Sequence, residues 1–278
     1  MASDFGWAVN GIPFETAFGP LFLTDATLWR PPVELRRTAI TIPGQHGSVS
    51  PGLPVYGEPK LPIVLRSIQA SQAALEEAVN QAMTILTAPT VTLSRTSGAR
   101  TTSAVAQLES LTPDDFTYRK TARITAVFAI PGVFFREAAT LSTDNVFSSD
   151  LVNVEIASLS ASTAPIPDAV VRITGPCVNP SVTDPWTGTG ISWTGTVAAG
   201  QYLFLCPRPL SARLSSASGD WLSGGSPVVG AVSWPATGRL QLWPVVQSSP
   251  TRKVLLSASG TSKTAATKLC VRASASYL

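Results

Sequence analysis

The sequence predicts a mainly β protein of two domains: a β-sheet or barrel-like domain carrying one α-helix, then an all-β domain built as a sandwich or jelly roll. Three observations predict it. Runs rich in Thr, Val and Ile at period two dominate the first 132 residues. A single apolar stripe at three- and four-residue steps stands among them. From residue 165 onward, short apolar runs recur between Gly, Pro and Ser clusters every ten residues or so, and no helical pattern appears. A length of 278 residues exceeds the usual size of one domain and favours two.

The first domain, residues 1–132, is expected to form strands at 38–42 (TAITI), 61–67 (LPIVLRS), 90–96 (TVTLSRT), 101–110 (TTSAVAQLES) and 120–130 (KTARITAVFAI). In the last of these Ile124, Ala126, Phe128 and Ile130 make a dry face and Arg123, Thr125 and Val127 a wetter one. The TSGA at 96–99 is a hairpin turn. The helix is expected over 71–88, with Leu75, Val79, Met83 and Leu86 on one side. Ser71 is its N-cap, Glu76 and Glu77 are placed early for the helix dipole, and Pro89 bars continuation. Residues 133–164, rich in Ser, Thr and Ala, read as a linker or edge segment. In the second domain, 165–278, short strands are predicted to recur from PIPDAVVRITGP onward: ISWTGTV, QYLFLCP, ARLSSAS, RLQLWPVV, RKVLLSASG and TKLCVRASAS.

Composition narrows the function. Apolar residues make up 44% and charged residues 13%, a balance that describes a chain with much surface to bury. No apolar run approaches the roughly 20 residues of a membrane span, so no membrane insertion is expected. The start lacks a basic segment followed by an apolar one, and the expectation is a chain made in, and initially staying in, the cytoplasm. The net charge of +3 is too small to imply nucleic acid by itself, and residues 1–132 balance ten Lys/Arg against ten Asp/Glu.

Chemistry is thin. Cys177, Cys206 and Cys270 are odd in number and far apart, against both a disulfide framework and a zinc site. His46 is the only histidine, and no nucleophile, Walker or dinucleotide motif is present. The DFG at Asp4–Gly6 lacks the other kinase segments, and Asp114-Asp115 reads as a turn after Pro113. No enzyme, cofactor or metal is expected. Five of the seven tryptophans, Trp186, Trp193, Trp221, Trp234 and Trp243, fall in the second domain. They read as core or interface packing, with an exposed sugar-binding platform as the alternative.

The segment PGQHGSVSPGLPVYGEPK, residues 43–60, holds His46 among four prolines that forbid a helix. Pre-extended and short of partners within its own domain, it reads as an arm that lies against another subunit. An ordinary surface loop is the competing reading.

The order of NGIPF, the 43–60 segment, the helix and TLSRTSGARTTSAVAQLES resembles the N-terminal domain of the distal tail proteins of long-tailed bacteriophages. The second half, VVRITGPCVNPSVTD followed by TGTGISWTGTVAAGQYLFLC, is similar to the galectin-like C-terminal β-sandwich of that family. The resemblance covers nearly the whole chain. It implies a structural virion protein of the tail tip: a homo-oligomer of six copies closing a ring between the tail tube and the baseplate hub, with a channel for DNA in transit. It implies as partners the major tail tube protein, the tape measure protein and a baseplate hub or tail-associated protein. Gly44, His46, Gly47, Tyr56 and Arg66 are the expected subunit-contact residues. The competing function is a carbohydrate-binding module for attachment to the host cell wall.

Overall fold

The structure, a computed structural model, describes residues 5–14, 21–23, 28–37, 39–41, 46, 52–113, 120–246 and 250–278. The chain divides into two compact units, Met1–Glu137 together with Leu278, and Ala138–Tyr277. It is mainly β with one helix described.

The first unit contains β1 (Phe5–Val9), β2 (Ile12–Pro13), β3 (Leu21–Leu23), β4 (Leu35–Arg36), β5 (Val55–Tyr56) and β6 (Lys60–Ile68). After these come α1 (Gln72–Leu86), β7 (Val91–Ser97), β8 (Arg100–Pro113), β9 (Thr121–Ala129) and β10 (Phe135–Arg136). The main sheet runs β2-β1-β7-β8-β9-β6-β3, antiparallel throughout, and β10 pairs with β8. Asn10 and Gly11, with φ of 51° and 80°, close the β1–β2 hairpin, the left-handed pair that such two-residue turns require. Gly98 at φ 59° opens the β7–β8 turn, where the sequence places it.

Alternation sets the layers. Leu61, Ile63 and Leu65 of β6 lie opposite Phe128, Ala126 and Ile124 of β9, and all six are fully buried. The helix α1 lies against these two strands. Ser71, in extended backbone, accepts a hydrogen bond from the Ala74 N–H at 3.2 Å as the N-cap. At the other end the Thr87 N–H and hydroxyl both bond to the Met83 carbonyl, before Pro89.

The buried stripe is Leu75, Ala78, Val79, Ala82 and Leu86, whereas Met83 is only half-buried. Two alanines bring the helix close to the sheet and leave the long Met83 side chain at the margin. Glu76 and Glu77 fall in the second turn and leave the first turn without an acid; Glu77 instead accepts from Gln81 at 2.9 Å.

The second unit contains β11 (Thr140–Leu141), β12 (Asn145–Val146), β13 (Leu151–Glu155), β14 (Val170–Thr174), β15 (Cys177–Thr183), β16 (Gly190–Trp193), β17 (Thr196–Val197) and β18 (Tyr202–Cys206). It continues with β19 (Ser211–Ser215), β20 (Ser226–Pro227), β21 (Val232–Ser233), β22 (Pro244–Val246), β23 (Arg252–Thr261), β24 (Lys268–Ala273) and β25 (Ser276–Tyr277). One sheet runs β11-β24-β14-β18-β19-β20, the other β13-β23-β15-β16-β21. Their inward residues share one core: Val171, Ile173, Leu203, Leu205, Leu269 and Val271 from the first, and Val182, Ile191, Trp193, Val254 and Leu256 from the second. This is a β-sandwich.

Two expectations are corrected, at 38–42 and in the ISWTGTV run. Of residues 38–42 only 39–41 are described, and they hold no strand beyond an isolated bridge at Ile40; the ladder forms upstream at β4, where Tyr56 and Val55 offer partners. From residue 138 the Ser/Thr/Ala-rich stretch, read as a linker or edge segment, lies in the second unit and supplies edge strands, β11 and β12 on β24 and β13 on β23. The ISWTGTV run splits at Thr194-Gly195 into β16 and β17, which pair with different parts of β15.

The packing of α1 predicts the cost of disturbing it. Val79 is 4% exposed, and Val79→Asp is expected to lower stability by about 3 kcal/mol or more, because an unpaired carboxylate enters the apolar layer. Asn80→Asp, one residue away on the exposed side, is expected to change it by no more than about 0.5 kcal/mol. Paired thermal and denaturant melts measure both; equal effects would contradict the assigned face.

Candidate functional site

Residues 52–60 begin the built part of the proline-rich segment. Strands β4 and β5 pair as a two-stranded ribbon, Leu35 with Tyr56 and Arg36 with Val55, and the Gly57 N–H adds a bond to the Glu34 carbonyl at 2.8 Å. Among the described residues the ribbon has no ladder to the main sheet. Pro54 on one side and Pro59 on the other keep it short, since neither can donate to a ladder. A ribbon of this size has little stability of its own and needs an anchor. Tyr56 supplies it: its ring stands edge-on to Phe134 with centroids 5.3 Å apart, and burial pushes the phenol pKa up. The Pro59 carbonyl then accepts from the Ile130 N–H at 3.1 Å, where β6 begins.

What the ribbon leaves outside is apolar. Val55 is 63% and Leu35 48% exposed, and Ile40 and Leu53 are exposed as well. Arg36 reaches Glu34 at 3.8 Å, but both groups are largely in water, where such a pair contributes little.

The predicted contact residues are spread over different elements. Gly44 and Gly47 lie outside the described residues. His46 is exposed in a bend. Tyr56 faces inward as the ribbon's anchor, so its neighbour Val55 carries the outward surface. Arg66 sits toward the end of β6, directly opposite Arg123 of β9, and both are exposed. Among the described residues neither has an ion-pair partner. Two like charges facing each other across a ladder oppose pairing.

Arg95 is the residue that sequence reasoning missed. It follows Val91 and Leu93 on the inward face of β7 and is 6% exposed. Its guanidinium donates to the Thr102 hydroxyl at 3.2 Å, the Trp29 carbonyl at 2.8 Å and the Leu278 carbonyl at 3.1 Å, and lies 4.4 Å over the Phe135 ring. Trp7 meets Trp29 and Phe135 edge-on beside it. Burial, then repulsion from Arg30, pulls its pKa down to about 10, still high enough to keep the charge at neutral pH. The signal was in the alternation of VTLSRTS, which places Arg95 with the core residues.

Nothing described assembles a reactive centre. Among the described residues no group of three or more His, Cys, Asp or Glu is placed to hold a metal. Cys177, Cys206 and Cys270 are buried, and burial raises the Cys177 and Cys270 thiols above their ordinary pKa. Asp114 and Asp115 lie outside the described residues. The tryptophans divide: Trp193 and Trp221 are buried, Trp193 donating to the Val228 carbonyl at 3.2 Å, while Trp186 and Trp234 are exposed.

No family model matches the chain, and no curated protein does. Among solved structures the chain is similar to the Dit protein (gp 19.1) of phage SPP1, described as a paradigm of the hub adsorption apparatus in Gram-positive infecting phages. The TM-score is 0.60 at 12% identity, over 99% of each chain. The phage P2 baseplate, in its activated conformation with Ca and with Sr, matches at TM-scores of 0.37 and 0.36 and 12% identity, over 96% of this chain and 97% of that one. The likeness to Dit is one of fold, and it spans both units.

The Arg66–Arg123 pair generates a test. Arg66→Thr is expected to raise the stability of the isolated chain by up to about 1 kcal/mol at low salt, by removing cross-strand repulsion and adding a good strand former. The gain should shrink as salt screens the pair in the parent. Denaturant titrations at low and high salt measure it, and a loss at both would show that Arg66 is internally satisfied.

Proposed function

We propose that this chain is a structural virion protein of a bacteriophage tail tip. Six copies close into a ring between the tail tube and the baseplate hub and leave a channel for DNA. The carrying observation is the fold likeness to the SPP1 Dit protein over 99% of both chains, which takes in both units of this one. The reading assigns the chain no reaction. Its partners are further copies of itself, the major tail tube protein, the tape measure protein and a hub or tail-associated protein.

Two features of the first unit support assembly. The ribbon exposes Leu35 and Val55 on strands whose outer edges carry no ladder among the described residues, and an adjacent copy can cover the side chains and extend the ladder. Full burial of such a side chain is worth about 1.5–3 kcal/mol, and a ring repeats the gain at every interface. Arg66 and Arg123, without an ion-pair partner among the described residues, present two cations that carboxylates of a neighbour can neutralise. The even charge of residues 1–132 suits a channel wall, since unbalanced cations would hold passing DNA by counterion release.

Negative-stain microscopy and light scattering on the purified chain test the reading, with a closed ring of six expected. The double variant Leu35→Ser, Val55→Ser is expected to keep the parent's melting temperature as a monomer and to lose the ring. A monomeric parent at high concentration would sink the ring; a ring that survives the double variant would make the ribbon an ordinary surface feature.

A further inference from the structure

Two loops of the second unit carry large indoles into solvent. Trp186, on the loop between β15 and β16, is 65% exposed, and Trp234, just after β21, is 45% exposed. Indoles of that size are among the costliest side chains to leave in water, and both stand on loops tied by several hydrogen bonds.

The fixing group is Asp184, 1% exposed. Its carboxylate accepts the N–H groups of Trp186 and Thr187 at 2.8 Å each and of Trp243 at 2.7 Å. It therefore clamps both loops at once. The Thr237 hydroxyl donates to the Gly188 carbonyl at 2.6 Å, the Thr189 hydroxyl to the Gln241 carbonyl at 3.1 Å, and the Gly190 N–H to the Gly238 carbonyl at 3.1 Å. Burying a carboxylate and ordering these hydroxyls is a large outlay for loops with nothing to hold in place.

The chemistry around the indoles is polar. The two stretches, DPWTGTG at 184–190 and WPATGR at 234–239, are built of Thr, Gly, Pro and Ala, without an exposed aliphatic side chain of the Leu or Ile kind. Their one acid, Asp184, is buried. Arg239 is exposed, lies 5.0 Å over the Trp234 ring and has no ion-pair partner among the described residues. Flat aromatic faces on a rigid polar frame, with a guanidinium free to donate, match the apolar face and the hydroxyl or acidic oxygens of a pyranose. Trp and Arg anchor protein contacts too, but there they sit at a dry, desolvated centre, which these Thr- and Gly-built stretches do not supply.

We propose that Trp186, Trp234 and Arg239 form a carbohydrate-binding platform that takes a neutral or anionic polysaccharide. The platform belongs to the second unit and does not depend on the ring reading.

The test uses the full chain on a printed array of bacterial capsular and cell-wall polysaccharides, followed by tryptophan-fluorescence titration with the strongest binder. Binding to at least one polysaccharide is expected. Trp186→Ala and Trp234→Ala should each weaken it about five- to tenfold with the melting temperature unchanged, and Arg239→Gln should weaken an anionic ligand more than a neutral one. An array with no binder, or binding that survives both tryptophan substitutions, overturns the proposal. So does a chain that ignores every polysaccharide but loses a tail-protein partner through the same substitutions, since the platform is then a protein contact.

Discussion

Successive side chains of a strand point to opposite faces, so each strand of this chain can give only half of its residues to one core. The architecture follows from how each unit covers that half. In the first unit Ile63 and Leu65 of β6 and Ile124 and Ala126 of β9 make a face that α1 closes with Leu75, Val79 and Leu86. In the second, two sheets close on each other. The residues of interest sit on what is left over: Arg66 and Arg123 on the outward side of the first sheet, and Phe204 and Arg172 on the outward side of the sandwich. There Trp221 meets the Phe204 ring edge-on and the Arg172 guanidinium lies 5.0 Å over Trp221.

Where that alternation was uninterrupted, the elements were legible in advance. Strands β6 to β9 and the helix fall within a few residues of their expected bounds, because Val, Ile and Thr at period two and Leu at helical spacing leave few other solutions. One strand that was passed over, β15, shows what hides one. Its CVNPSVT contains Pro180, which cannot donate to a ladder, and Asn179, at φ 49°. Both sit in a register shift between Val178 and Ser181, and the Asn179 side chain and N–H bond instead to Gly195. A proline is tolerated inside this sheet because the bulge excuses its missing donor. The Asn10-Gly11 turn was the opposite case, a strong hairpin signal within a stretch quoted only for its resemblance.

The candidate surfaces were less legible. Composition marked 43–60 as an unusual segment, but which of its side chains faces out depends on the pairing of β5 with β4, twenty residues upstream, and that register turned Tyr56 inward and Val55 outward. The charge on Arg66 could be read; its position opposite Arg123 could not, because it follows from a strand partner on the far side of the helix. The tryptophans are alike in sequence context and unlike in exposure. Trp193 lies in a strand and points to the core, whereas Trp186 and Trp234 sit just beyond strand ends, where alternation no longer decides.

Arg95 ties its surroundings together across great sequence distance, and this bears on the order in which the chain can mature. Two of its acceptors, at Trp29 and Thr102, emerge from the ribosome with the first unit, but the third belongs to Leu278, 183 residues later. A domain at the start of a chain ordinarily completes its fold while the rest is still being made. Here the guanidinium must wait, short of one acceptor, for the entire second unit to be synthesised. A buried donor left unmet costs about 1–3 kcal/mol. The nascent first unit is thus weakest during elongation, and it reaches full strength only when the ribosome has delivered residue 278.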